Sequence, residues 1–123
     1  MSKVLVIDDD PALCQLLTML LTEEGFQVKA ARNGREGLGI LQQENGWLIL
    51  LDLMMPYMDG NAVLQVLRED RALLDGNIVV LMSAGNMAQD PQPMQEPVQA
   101  ILPKPFDLES VLSLVNQLTS QAV

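Results

Sequence analysis

Asp8, Asp9, Asp10, Asp52, Ser83 and Lys104 are the residues whose types and placement suggest chemistry. Clustered carboxylates repel: two unit charges about 4 Å apart cost on the order of 4 kcal/mol at an effective dielectric of about 20. A divalent cation reverses that sign. The chain has no histidine and one cysteine, Cys14, so the usual nitrogen and sulfur sites for zinc cannot be built. Oxygen donors favour a hard cation, Mg²⁺ or Ca²⁺, and Mg²⁺ typically takes about one or two carboxylates and keeps several waters. Asp52 then has two jobs open to it, metal ligand and nucleophile, because a carboxylate can attack a phosphoryl group to give an acyl phosphate. A metal and Lys104 would stabilise charge on the equatorial oxygens of the transferring group.

Each residue also has a plainer reading. Asp10 precedes Pro11, a favoured first helical residue, and is assigned as a helix cap. Asp8-Asp9 taken alone fits a solvated turn equally well. Ser83 alone is an ordinary strand-end serine, and Lys104, between Pro103 and Pro105, would usually lie at the surface. Asp52 is harder to dismiss, since a charge inside Leu48-Ile49-Leu50-Leu51-Asp52-Leu53 is costly unless compensated. Cys14 reads as a small buried apolar side chain, and the eight methionines read as core filling, with Met54 and Met55 beside Asp52 as the exceptions to consider.

The elements that must position these residues alternate between short apolar runs and amphipathic stretches. Val4-Leu5-Val6-Ile7 is a buried strand that ends at the three aspartates. Leu13, Leu16, Leu17, Leu20 and Leu21 form one helical stripe, stopped by Gly25. Residues 26–31 read as a second strand and 34–44 as a weaker helix, since Gly37 and Gly39 each cost it roughly 1 kcal/mol. A third strand spans 48–53, a loop 54–60 and a helix 61–70. The fourth strand spans 78–82. Residues 85–97 contain Pro91, Pro93 and Pro97, so the fourth helix is expected to be short or broken there. A brief fifth strand covers 100–102, and Asp107 caps a last helix with Leu108, Val111, Leu112, Val115 and Leu118 on its apolar face. This order implies an α/β fold, a doubly wound five-stranded parallel sheet with helices on both faces. Asp8, Asp9, Asp52, Ser83 and Lys104 then meet at the carboxyl edge of the sheet, where such folds bind ligands.

Composition sets the outer limits. The 123 residues, 49% of them hydrophobic, suffice for one core, so a single domain over 1–123 with no output domain is expected. No apolar run reaches the roughly 20 residues that span a bilayer, no secretory leader is visible, and one cysteine suits a reducing, cytoplasmic compartment. A net charge of −9 disfavours direct binding of nucleic acid or an anionic membrane.

The same residues resemble a known family. Val4-Leu5-Val6-Ile7-Asp8-Asp9-Asp10-Pro11-Ala12-Leu13 is similar to the opening of bacterial two-component receiver domains, of the CheY-like superfamily with its flavodoxin-like sheet. Leu50-Leu51-Asp52-Leu53-Met54-Met55-Pro56-Tyr57-Met58-Asp59-Gly60 resembles that family's phosphoacceptor loop. Leu81-Met82-Ser83-Ala84 and Lys104-Pro105-Phe106 resemble its hydroxyl and lysine motifs, and the likeness covers the whole chain. The resemblance implies a phosphorylation-dependent switch, not a turnover enzyme, fed by a histidine kinase or histidine phosphotransfer protein and read by a downstream protein. It implies Asp52 as phosphoacceptor and Mg²⁺ held by Asp9, Asp52 and the Met54 carbonyl, with Asp8 acting through a bound water. Ser83 would contact a phosphoryl oxygen, Lys104 would pair with Asp52 or its phosphoryl group, Ala84 would leave room beside it, and the Lys104–Pro105 bond would be cis.

Three features depart from the family pattern. Ser83 stands where threonine is usual, Ile101 replaces a common switch aromatic, and the prolines of 85–97 replace a regular helix. Activation is therefore expected to order 86–97 around Ser83 rather than to rotate a ring. The alternative reading is a pseudo-receiver, an interaction module independent of phosphate. An aspartyl phosphohydrolase would need a substrate cap for which the chain has no room. A nucleotide binder would need a glycine-rich loop after the first strand, which is absent.

Overall fold

The computed structural model describes residues 2–55, 58–84 and 98–120. The strands are β1 (Lys3–Ile7), β2 (Gln27–Ala31), β3 (Trp47–Asp52), β4 (Ile78–Ala84) and β5 (Val98–Lys104). The helices are α1 (Pro11–Glu23), α2 (Gly34–Gln43), α3 (Gly60–Glu69), α4 (Arg71–Gly76) and α5 (Leu108–Ser120). All strand pairs are parallel, in the order β2-β1-β3-β4-β5.

Alternation along each central strand feeds two cores. Val4, Val6, Leu48, Leu50, Val80 and Met82 face α1 and α5, where Cys14, Leu17, Leu21, Val111 and Val115 cover them. Leu5, Ile7, Ile49, Leu51 and Leu81 face the other way, under Leu38, Leu41, Val63, Leu64, Leu67 and Leu73 of α2, α3 and α4. The chain moves outward from β1 to β2 and then returns past β1 to β3. Right-handed crossovers in opposite directions place their helices on opposite faces, which is the division seen here. It also creates a switch point between β1 and β3, and Asp8 and Asp52 stand at the carboxyl ends of these two strands.

Several boundaries differ from the sequence expectations. Leu16 is not in the buried stripe of α1 but 44% exposed, and Cys14 takes a place in the core instead. β4 runs two residues further than expected, so Ser83 lies within it. β5 is also longer and holds Pro103 and Lys104. β5 is an edge strand, where proline's missing amide hydrogen is tolerated. Helix α4 was not expected. Asp70 ends α3 and its carboxylate accepts from Leu73 N–H at 3.3 Å, so one residue closes a helix and opens the next. Gly37 is no mere weakness of α2, because a Cβ there would stand 2.4 Å from Ile7 Cδ1. The expected break within 85–97, and the space beside Ala84, lie outside the described residues.

Candidate functional site

The site begins with the turn after β1. Asp10 caps α1, accepting from Ala12 and Leu13 N–H at 3.0 and 3.3 Å. That cap bends the chain so that Asp10 N–H reaches back to Asp8 Oδ1 at 2.9 Å. Asp8 is fully buried and tied at every polar group. Its N–H donates to Ala31 O at 3.0 Å, its carbonyl accepts from the Cys14 thiol at 3.2 Å, and its Oδ2 accepts from Lys104 Nζ at 2.9 Å. Asp9 is exposed beside it.

Asp52 is buried at the end of β3. Its Oδ1 accepts from Met54 N–H at 3.3 Å and lies 3.6 Å from Lys104 Nζ. Ligand atoms of Asp8, Asp9 and Asp52 all fall within 4.8 Å of one another. Lys104 arrives from the end of β5, where its bond to Pro105 is cis. Ser83 is buried on β4, one residue past Met82, the register partner of Asp52. Met54 is 77% exposed.

The charges of this crevice are unbalanced. Burial, and then the negative charge of Asp8, push the Asp52 carboxyl up to about 6, against the pull of Lys104 and the Met54 amide. For Lys104, burial alone would lower the ammonium's pKa, but the hydrogen bond and charge of Asp8, with the charge of Asp52, raise it. Burial, then Asp8, raises the Cys14 thiol to about 11, so it stays a protonated donor. A carboxylate group with only one ammonium against it has the hard oxygen donors and the excess negative charge that suit Mg²⁺. Both oxygens of Asp8 already accept hydrogen bonds, which leaves Asp9 and Asp52 the freer ligands.

The glycines were not read from sequence as part of the site. Gly60 N–H donates to Leu53 O at 3.0 Å, and a Cβ there would stand 2.7 Å from Asp52 O. Gly34 N–H donates to Met58 O at 3.0 Å. An Asp-Gly and an Asn-Gly step in the sequence signal a turn or cap, but not the close approach that follows.

Comparison with known proteins agrees with this geometry. Residues 4–116 match the family model described as the response regulator receiver domain. The chain is 36% identical over 118 residues to the DNA-binding dual master transcriptional regulator RpaA of a Synechocystis strain, covering 96% of this chain and 49% of that protein. The chain spans about half or less of the length of the curated relatives it matches. Among solved structures, the receiver domain of the Francisella response regulator 1452 superposes with a TM-score of 0.88 at 29% identity, over 100% of both chains. Response regulator protein TrrA from Thermotoga maritima, in complex with Mg²⁺-BeF, superposes with a TM-score of 0.78 at 28% identity, over 96% of this chain and 99% of that one.

Proposed function

The chain belongs to the response regulator receiver domain family, and we propose that its 123 residues are one receiver domain, a phosphorylation-dependent switch with Asp52 as phosphoacceptor. The observation that carries this reading is the buried Asp52 carboxylate within reach of both a second carboxylate pair and the Lys104 ammonium. A histidine kinase or histidine phosphotransfer protein is the proposed donor, and a downstream protein the proposed reader. The receiver is proposed not to touch nucleic acid itself, in keeping with its charge of −9. No helix of the described residues is long and apolar enough to cross a membrane. A cytoplasmic site of action is part of the proposal, and the free, buried Cys14 thiol suits a reducing compartment.

Asp9, Asp52 and the Met54 carbonyl would hold Mg²⁺ directly and Asp8 through a water. Bound there, Mg²⁺ would offset the charge of the phosphoryl oxygens and of the carboxylates. An Asp52 oxygen attacks the phosphorus, the bond from phosphorus to the donor's imidazole nitrogen breaks, and the imidazole leaves with the electron pair. Lys104 donates to a phosphoryl oxygen in place of its longer contact with Asp52. The Ser83 hydroxyl donates to another. Water later reverses the modification by attack on phosphorus, so the chain acts on itself and not on a succession of substrates.

Beryllium fluoride, a phosphoryl mimic, tests the assignment without a donor protein. With Mg²⁺ present, the fluorine NMR spectrum should show a bound, slowly exchanging signal. That signal should vanish in Asp52→Asn. Equal signals from both chains would place the mimic elsewhere and end the reading.

A further inference from the structure

Gly34 is the first residue of α2, and its N–H is one of the donors that a helix N-terminus leaves without an intrahelical partner. It is used on the Met58 carbonyl, 3.0 Å away, in the loop that follows Asp52. A Cβ at Gly34 would lie 2.6 Å from Met58 O and 2.6 Å from Val63 Cγ2. The first of these is backbone and cannot rotate aside. Only glycine lets α2 come this close.

The loop is held differently at its two ends. Next to Asp52, Leu53 N–H makes a long bond of 3.4 Å to Met82 O. At the far end, Gly60 N–H closes the loop on Leu53 O, and Asp59 caps α3 by accepting from Ala62 N–H at 3.0 Å. Met55 is buried in the core and Met58 packs against it, and the Gly34–Met58 bond adds a backbone tie from a helix that contributes no ligand. Positional errors of about 1 Å at a reacting or ligating atom can cost on the order of a hundredfold in rate.

We propose that Gly34 is a positioning residue for the phosphoacceptor site. By seating α2 on the loop after β3, it sets where the Met54 carbonyl and the Asp52 carboxylate stand for Mg²⁺. The inference rests on the reading of the site as a Mg²⁺-dependent phosphoacceptor.

Three identical substitutions in one helix separate positioning from plain stability. Gly34→Ala presses on the loop. Gly37→Ala presses on Ile7 in the core, 2.4 Å away, and Gly39→Ala enters open space. Mg²⁺ is titrated into each folded chain by calorimetry at one temperature well below melting, and the half-saturating concentration is its half-point. Gly34→Ala should need about tenfold more Mg²⁺, the scale seen when a residue supporting a ligand is lost. Gly37→Ala should melt earlier yet keep the wild-type half-point, and Gly39→Ala should keep it too. Equal half-points for Gly34→Ala and Gly37→Ala would overturn the positioning role alone. A wild type that does not respond to Mg²⁺ would overturn the underlying reading as well. If Gly34→Ala does not fold, amide exchange in the unaltered chain decides. Saturating Mg²⁺ should slow the Gly34 amide on the order of tenfold more than the Gly37 amide, which is bonded to Asn33 O. No change at Gly34 would overturn the inference.

Discussion

Asp52 is held in an environment that resists its ionisation, and this has a measurable sign. Its carboxyl titrates at about 6 against an ordinary 3.8, chiefly through burial and the charge of Asp8. An acid with a raised pKa in the folded state favours the protonated, folded form. Its contribution to stability is fully present below the unfolded pKa and is lost as pH rises through about 6. The shift corresponds to about 3 kcal/mol. In metal-free buffer, Asp52→Asn should therefore stabilise the chain at pH 7 by up to about that amount. The gain should shrink toward pH 3, below the unfolded value of 3.8, where the wild-type carboxyl is largely protonated in both states. Urea unfolding of both chains at the two pH values measures it. A gain independent of pH would mean that the charge of Asp52 is not the source. Asp52 was legible because its charge interrupts an apolar strand, and Asp10 because proline follows it. The Asp8–Lys104 bond at 2.9 Å, shorter than the Lys104–Asp52 contact at 3.6 Å, was not, because the order of distances within a crevice depends on packing.

The elements owe their positions to signals of unequal clarity. β1, β3 and β4 were legible as apolar runs because both faces of the central strands are buried. β5 was read too short, since its Pro103 argues against a strand and only the edge position excuses it. α4 spans six residues, Arg71–Gly76, and depends on the Asp70 cap, so periodicity could not find it. Leu16 completed an apolar stripe on paper but is exposed, because the face that α1 turns to the sheet is centred on Cys14, Leu17 and Leu21. Asp10 illustrates how one residue serves both an element and the site. Asp10→Ala should cost about 1 kcal/mol through the lost cap, while the backbone N–H that holds Asp8 remains. Its Mg²⁺ response in a thermal melt should stay near that of wild type. Loss of that response would make Asp10 a ligand. In α2 itself, Gly39→Ala should raise stability by up to about 1 kcal/mol through helix propensity. Gly37→Ala should lower it by about 1–3 kcal/mol through overpacking against Ile7, both read by urea unfolding.

At the scale of the whole molecule, the winding order of the sheet makes the site. Reversal between β1 and β3 opens the crevice, and β5 brings Lys104 to it from the far edge. The cost is a cluster of carboxylates in a chain already carrying a net charge of −9. A cation bound only by the folded state relieves this, and at 100 times its dissociation constant it adds about 2.7 kcal/mol. Mg²⁺ should raise the melting temperature of wild type. Asp9→Ala should melt higher than wild type without metal and respond little to Mg²⁺. An equal Mg²⁺ shift in both chains would remove Asp9 from the site. The central claim is that the molecule accepts one phosphoryl group on Asp52. Intact-mass measurement after incubation with acetyl phosphate and Mg²⁺ tests it most directly. The wild-type chain should gain the mass of one phosphate, stable in acid and lost in base, and Asp52→Asn should gain none. A wild type left unmodified under conditions that phosphorylate another receiver domain, or an Asp52→Asn chain that gains the same mass, would contradict the account.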